Sequence, residues 1–391
     1  MQEAVIVSAA RTALGKAIKG TLKDVRPEFL GTLVVQEVLS RAPAVDPAEI
    51  DDVIFGCSFG EGEQGLDIAR TVVLKSGLPV SVAGITINRF CSSGLNAIAL
   101  AAQQIMTGST QVMIAGGVES MSTVPIGGIK PAPDPDLMDS LPDVYISMGQ
   151  TAENVACRYG INRDDQDAFA LQSHQKAARA TKEGRFEAEL VPVPVRNRRY
   201  VDGRILEERL ELRHDEGIRP GVTMEDLAKL KPIFHVQGSV TAGNSSQMTD
   251  GAAAVLIMSA ERARQLDLKP IGAFRSFAVG GVHPDEMGIG PVVAIPKALS
   301  LAGLTLDQME VIELNEAFAS QALYCIRKLQ MDPDKVNPNG GAIAVGHPLG
   351  CTGAKLTVSM LNELGRTGGR YGLVSMCTAF GMGVAGVFEK L

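Results

Sequence analysis

A cysteine stands at a predicted turn between a strand and a helix. Residues 88–95 (Asn-Arg-Phe-Cys-Ser-Ser-Gly-Leu) follow the strand-like run 85–87 and precede an alanine-rich stretch of helical length. Backbone N–H groups and the positive dipole end at a helix N-terminus stabilise a thiolate. Cys91 is therefore a candidate nucleophile, although this segment alone fits a buried structural thiol equally well.

A single histidine lies within a dense run of glycines at 339–354 (Asn-Gly-Gly-Ala-Ile-Ala-Val-Gly-His-Pro-Leu-Gly-Cys-Thr-Gly-Ala). Glycines allow the backbone to approach a ligand or another loop closely. Nucleophilic catalysis by a thiol requires an adjacent base, and His347 is a candidate for that role. A lone histidine is more often structural, but its place in a glycine-rich turn ahead of a helix favours function.

Two further polar residues come where predicted strands end. Cys377 ends a run at 371–377, and Asn315 follows the strand-like run 311–314. Open α/β sheets bind their ligands at the carboxyl ends of strands. Cys91, His347, Cys377 and Asn315 are thus all predicted to lie on turns above one sheet edge.

The elements that must position these turns alternate in type. Short β-branched runs alternate with Ala- and Leu-rich stretches of helical length, beginning with 5–7, 30–41, 53–55 and 68–76 and returning from 312 to 387. This rhythm predicts an α/β fold with buried strands.

Three segments recur in the same order. Residues 53–57 match 311–315 at an offset of 258, whereas 91–94 match 350–353 and 112–115 match 371–374 at 259. The set indicates two copies of one α/β unit. Chance similarity between glycine-rich turns is the alternative.

Residues 120–245 fit neither copy. They hold an irregular proline-rich loop at 125–142 and two predicted helices that open near Thr151 and Arg163. The arginines at 196, 198 and 199 indicate either a solvated surface or an anion-binding lobe.

Composition excludes several classes of protein. Of 391 residues, 45% are hydrophobic and 21% charged, which is ordinary for a globular chain. The net charge of −7 disfavours nonspecific binding to nucleic acid or anionic membrane, and no apolar run approaches a membrane span. The six cysteines lack metal-ligand spacing, and the termini show no targeting signal, so we expect no metal and a cytoplasmic location.

At these residues the chain resembles the thiolase family of acyl-CoA:acetyl-CoA acyltransferases. Four blocks carry the resemblance in order, at 88–94, 315–318, 340–353 and 377–383. The resemblance implies a five-layered α-β-α-β-α sandwich of two duplicated halves with an inserted loop domain. We expect residues 1–119 with 246–268 to form the N-terminal half, 120–245 the loop domain and 269–391 the C-terminal half.

The resemblance also implies roles for the four turn residues. Cys91 matches the acylated nucleophile, His347 the residue that activates it and Cys377 the acid/base, while Asn315 matches a residue that orients a water in one oxyanion site. The backbone N–H groups of Cys91 and Ala379 match the second oxyanion hole. Such a site would cleave a 3-ketoacyl-CoA with free CoA, its substrates, by ping-pong kinetics and without a bound cofactor.

Other family positions are matched by context. Ser246 and Arg219 match residues near the pantetheine and the adenine of CoA, and Met148, Phe234 and Phe318 match pocket walls. For the two phenylalanines, plain core packing is an equal alternative.

This chain departs from the family pattern in two places. It has Cys-Thr-Ala-Phe-Gly at 377–381 where the family commonly has Cys-Ile-Gly-Gly-Gly, so Ala379 would be strained if that position needs a positive φ. Ser147 stands where biosynthetic relatives tend to carry histidine, and the loop before it looks short. Ser147 and the short loop before it both favour a degradative thiolase and a homodimer, with a homotetramer as the alternative.

Three other functions are alternatives for this sequence. A biosynthetic enzyme that joins two acetyl-CoA molecules would use the same residues in reverse. A ketoacyl synthase would pair one cysteine with two histidines, which Cys377 argues against. A non-catalytic lipid-binding relative should have lost Cys91, His347 or Cys377, and the chain keeps all three.

Overall fold

A computed structural model describes residues 2–201 and 203–391 of the chain. The strands are β1 Ala4–Thr12, β2 Gly15–Lys16, β3 Asp52–Gly56, β4 Ala83–Ile87, β5 Val112–Ser120, β6 Leu190–Val191, β7 Val193–Val201, β8 Arg204–Leu212, β9 Thr249–Ser259, β10 Gly272–Gly281, β11 Val311–Leu314, β12 Tyr371–Thr378 and β13 Met382–Glu389. The helices are α1 Pro27–Ser40, α2 Ile68–Lys75, α3 Ser93–Thr107, α4 Pro135–Ser140, α5 Met148–Arg158, α6 Arg163–Lys182, α7 Met224–Ala228, α8 Ala260–Gln265, α9 Gly290–Ala302, α10 Ala319–Leu329, α11 Ala342–Val345 and α12 Leu349–Thr367.

The main sheet consists of two halves with equivalent strand arrangements, which meet where β1 pairs with β10. Its order is β11-β12-β13-β10-β1-β9-β5-β3-β4. Within the first half β3 runs parallel to β5, and within the second β11 runs parallel to β12. The α/β expectation and the duplicated architecture are therefore confirmed.

The strand register corrects the repeat by one residue. Val53 pairs with Ile114 in the first half, and Ile312 pairs with Leu373 in the second. Both members of the second pair lie 259 residues after their counterparts, so one offset relates all three segments. The offset of 258 for the first segment was wrong, and Asn315 is equivalent to Gly56 and not to Cys57.

Three apolar layers hold the five structural layers together, because the middle one contacts both half-sheets. The first packs α1 and α2 on the outer face of the first half-sheet, and the third packs α9 and α10 on the outer face of the second. The middle layer holds α3 and α12 between the half-sheets, with Leu95 and Leu356 completely or almost completely buried. Successive side chains of a strand point to opposite faces of the sheet. On β5, Ile114 therefore packs in the first apolar layer and Met113 in the middle one.

The segment between the two copies carries its own elements. Helix α5 begins at Met148 behind Ser147, whose side chain accepts from the Gln150 N–H, and α6 begins at Arg163. The short helix α4 lies inside the stretch expected to be irregular. Hairpin β7–β8 holds the arginine cluster, of which the side chains of 198 and 199 lie outside the described residues, so the anion-binding alternative stays a prediction. The domain boundaries given above likewise stay predictions.

No helix among the described residues is long and apolar enough to cross a membrane.

Candidate active site

Cys91 lies in the short turn Phe90–Ser92 that joins β4 to α3. Its side chain is buried, and burial raises the pKa of the thiol to about 12, although the backbone N–H groups of Cys91 and Ala379 donate toward the sulfur and lower it. The expected helix-terminal stabilisation is therefore outweighed by burial. Cys91 is a thiol at neutral pH and needs a base to become a nucleophile.

His347 has the protonation state and the tautomer that a base requires. Burial lowers the pKa of the imidazole to about 4, so the ring is neutral at pH 7. The Thr352 hydroxyl donates to the Pro348 carbonyl at 2.8 Å and lies 2.6 Å from His347 Nδ1. Because that hydroxyl proton is used, Nδ1 must carry the ring proton, and Nε2 keeps its lone pair.

Asn315 contacts the same imidazole. Its Nδ2 lies 3.3 Å from His347 Nε2, and its backbone N–H donates to the Ser375 carbonyl within β12. Its Oδ1 is buried and has no hydrogen-bond partner among the described residues. Buried polar atoms are normally hydrogen-bonded, so this oxygen suits a donor from water or substrate.

Cys377 is the second buried thiol of the site. Burial raises its pKa well above the ordinary value, and negative charge on Cys91 raises it further. A thiol with a high pKa holds its proton at neutral pH and can donate it to a carbanion.

The turn 379–381 joins β12 to β13 and corrects the expectation of strain at Ala379. Positive φ angles fall on Phe380 (63°) and Gly381 (75°), and Ala379 does not have one. Alanine therefore fits its position without strain, and its N–H reaches Cys91 Sγ. The strained residue is the aromatic one.

Three side chains that the sequence did not identify support the loops of the site. Glu119 accepts from the N–H groups of Ser58 and Gly350, both at 2.7 Å, and thereby ties the start of α12 to the end of β3. Gln247 Nε2 donates to two backbone carbonyls of α11. The backbone carbonyl of Gln247 accepts from the His347 N–H at 3.0 Å. Thr352 was also missed, although the repeat aligns it with Ser93, another hydroxyl at a helix start.

The three expected pocket residues lie in one apolar cluster with Cys377 and Ala379. Phe234 and Phe318 meet edge to face with centroids 6.0 Å apart, and Met148 packs beside them. Ser246 pairs through its backbone N–H with Ala317, next to this cluster.

Arg219 is exposed, and its N–H donates to His174 Nδ1 at 3.2 Å. No hydrogen bond or ion pair among the described residues joins Arg219 to the four turn residues.

One group of side chains brings metal-ligand atoms together. Asp143, His283 and Asp285 have such atoms within 4.8 Å of one another. Asp285 is already paired with Arg158 and with His283, so its charge is compensated.

A neutral imidazole and two buried, protonated thiols are the groups that acyl transfer through a cysteine requires. Models of the "Thiolase, N-terminal domain" and "Thiolase, C-terminal domain" match residues 4–261 and 268–390. The chain belongs to the thiolase family.

Relatives cover its full length. The 3-ketoacyl-CoA thiolase of Bacillus subtilis (strain 168) is 55% identical over 390 residues, which span 100% of both chains. The peroxisomal 3-ketoacyl-CoA thiolase of Homo sapiens is 48% identical over 99% of this chain and 91% of its own. The crystal structure of the Bacillus anthracis acetyl-CoA acetyltransferase superposes with a TM-score of 0.91 at 40% identity, covering 100% of this chain and 99% of that one.

Proposed function

We propose that the protein cleaves 3-ketoacyl-CoA with free CoA to give acetyl-CoA and a shortened acyl-CoA, as in fatty acid β-oxidation. The His347 imidazole carries the proposal, because Thr352 holds the ring proton on Nδ1 and leaves Nε2, 3.3 Å from Asn315 Nδ2, free to take a proton from a buried thiol. The names of the Bacillus and human relatives support the degradative direction.

In the first half-reaction His347 Nε2 takes the Cys91 proton, and the sulfur attacks C3 of the substrate. The C2–C3 bond then breaks, the acyl group stays on Cys91, and the acetyl-CoA enolate takes the proton of Cys377. The imidazolium and Asn315 stabilise the enolate oxygen.

In the second half-reaction CoA gives its thiol proton to the Cys377 thiolate and attacks the acyl carbon. The Cys91 sulfur leaves and recovers its proton from His347. Both thiols and the imidazole return to their starting states, as ping-pong turnover requires. CoA acts as a substrate, and no step calls for a metal or another cofactor.

Thiolysis assays with 3-ketoacyl-CoA substrates of four to sixteen carbons test the proposal. We expect kcat/KM to rise with chain length and Cys91→Ala to abolish turnover, while Cys157→Ala, at an exposed thiol, serves as the control. Mass spectrometry should find the acyl group on the peptide that contains Cys91. Absence of that adduct with every substrate would refute the proposal.

The biosynthetic direction is the second candidate. The solved relative named acetyl-CoA acetyltransferase favours it. Activity confined to the four-carbon substrate would support this alternative.

We propose a homodimer that forms through the free edge of β4. This strand ends the sheet order, and Ile85 on it is 46% exposed. Leu66, which precedes the Asp67 that accepts from the Thr86 hydroxyl of β4, is fully exposed. Exposed apolar residues on an edge strand mark a pairing surface. Light scattering should give twice the 41.3 kDa chain mass, Ile85→Asp should halve it, and the control Leu301→Asp on α9 should not. A fourfold mass would favour the tetramer.

We also propose a cytoplasmic location, which the unpaired state of the six cysteines supports. The human relative is named as peroxisomal, so cell fractionation is the direct test.

A further inference from the structure

Four aromatic side chains form a continuous surface beside the nucleophile, here called the aromatic wall: Phe59, Phe90, Tyr145 and Phe380. Phe90 and Phe380 stack with centroids 5.3 Å apart and planes at 20°. Tyr145 meets Phe380 edge-on at 5.6 Å, and Phe59 meets Phe90 edge-on at 6.3 Å. Phe380 is 42% exposed and Tyr145 36%, so the wall is open on one side.

The two stacked rings sit on strained backbone. Phe90 has φ 45° and Phe380 has φ 63°, a region that bulky residues rarely enter. Such strain persists only where surrounding structure enforces it, and it concentrates at functional sites. Both strained residues adjoin a catalytic peptide unit, since Phe90 precedes Cys91 and Phe380 follows Ala379.

The wall therefore flanks the carbon that would be bonded to Cys91. Phe90 and Phe59 pack in one apolar cluster with Cys91, Met121 and Leu349. A separate apolar cluster, with Met148, Phe234 and Phe318, surrounds Cys377. Two distinct apolar surfaces thus meet at the site.

A 3-ketoacyl-CoA has two arms at C3, the carbon that Cys91 attacks. One arm is C2 with the CoA thioester, and it must pass Cys377, which protonates C2. The other arm is the alkyl tail, which has to leave C3 in a different direction. We infer that the tail lies against the aromatic wall, and that Phe380 and Tyr145 determine which tails the enzyme prefers; this inference rests on the proposed function.

The inference revises one expectation. Met148, Phe234 and Phe318 lie with Cys377 and would line the CoA arm. The tail would instead contact Phe380, which the family resemblance already places near the acyl pocket, and aromatic residues that the sequence did not identify. A four-carbon substrate has only a methyl group as its tail and leaves most of the wall uncovered. Longer alkyl tails cover more of it, and each methylene in an apolar pocket changes kcat/KM roughly tenfold or more.

The test compares kcat/KM for 3-oxododecanoyl-CoA with that for acetoacetyl-CoA. Phe380→Gly removes the ring and suits the positive φ, so the turn and the Ala379 N–H are retained. We expect the long-to-short ratio to fall at least tenfold. Tyr145→Ala should lower the same ratio, whereas Tyr145→Phe keeps the ring, loses only the hydroxyl that accepts from the Asp134 N–H, and should preserve the ratio.

Equal loss of kcat/KM on both substrates in Phe380→Gly and Tyr145→Ala would overturn the inference, because the rings would then serve only the catalytic turn. An unchanged ratio in both variants would overturn it as well. Dissociation of the oligomer in Phe380→Gly would identify the wall as a subunit contact instead. A wild-type enzyme that cleaves no substrate would refute the proposed function itself, and an acyl-Cys91 adduct without selectivity would refute only the tail assignment.

Discussion

Gly94 and Gly353 each lie against the backbone of the helix that carries the other. A Cβ at Gly94 would come within 2.7 Å of the Ala354 nitrogen, and a Cβ at Gly353 would overlap the Leu95 nitrogen. Both glycines are in the first turns of α3 and α12, and the repeat offset of 259 converts one contact into the other. Because these helices begin at the Cys91 and His347 turns, the glycine contact brings together the two residues proposed as nucleophile and base.

Gly94→Ala should therefore destabilise the protein. The added methyl group would meet the backbone of Ala354 and Gly350 and the Ala354 Cβ, none of which can rotate away, so we expect the free energy of unfolding to fall by about 2 kcal/mol or more. Gly365→Ala in the same α12 is the matched control, since nothing lies within 4 Å of its added Cβ. Alanine there should raise stability by about 0.5 to 1 kcal/mol. Urea denaturation of both variants measures the difference, and equal effects would contradict the close helix contact.

Stability should fall in acid because His347 is buried as the neutral ring. Its pKa is lowered from 6.5 to about 4 by burial, so between these values the unfolded chain binds the extra proton. The free energy of unfolding is then largest above pH 6.5 and falls by about 3 kcal/mol as the pH drops to 4. Unfolding measured from pH 4 to 8 tests this, and His347→Gln should flatten the slope.

His174 is the control for that experiment. Its pKa is also lowered to about 4, first by burial. His174→Gln should reduce the loss of unfolding free energy in acid by a similar amount. It should not change the decrease of kcat/KM below pH 5, because that decrease comes from protonation of His347. Loss of that kinetic limb in His174→Gln would reassign the base.

The duplicated fold could be predicted because the repeat consists of local sequence patterns. Strand runs, glycine-rich turns and helix starts recur at one spacing, and the motifs at Cys91, His347 and Cys377 are contiguous in sequence. The one-residue error near Asn315 arose because apolar runs of similar length align equally well in two registers. Only the pairing of Ile312 with Leu373 fixes the alignment.

The aromatic wall and the supporting groups could not be predicted in the same way. Phe90, Phe380 and Tyr145 come from three distant segments, and their contact depends on tertiary packing. The turn geometry decides that the positive φ falls on Phe380 and not on Ala379. The adjacent alanine and phenylalanine in the sequence do not specify which of them takes it. Glu119 gave no signal, since its partners, the N–H groups of Ser58 and Gly350 and the amide of Gln64, lie at least 55 residues away in sequence.

The buried carboxyl of Glu313, two residues before Asn315, should lower the free energy of unfolding at high pH. Burial raises its pKa to about 8, and its Oε2 has no hydrogen-bond partner among the described residues. The folded protein binds this proton between pH 4.5 and 8 while the unfolded chain does not, so stability falls as pH rises through that range. Glu313→Gln should therefore raise the free energy of unfolding at pH 9 by roughly 2 kcal/mol or more. An unchanged value at pH 9 would contradict burial of the charge.

Thr352 should control catalysis through His347 without touching substrate. Its hydroxyl lies 2.6 Å from Nδ1 and uses its own proton on the Pro348 carbonyl. Thr352→Val removes that acceptor, so the ring loses the contact that keeps its proton on Nδ1 and its lone pair on Nε2. We expect kcat/KM to fall at least tenfold with the long-to-short substrate ratio retained, and Thr352→Ser, which keeps the hydroxyl, to restore most of it. ¹⁵N chemical shifts of the imidazole would report the tautomer directly. Full activity in Thr352→Val with an unchanged tautomer would show that other contacts orient His347.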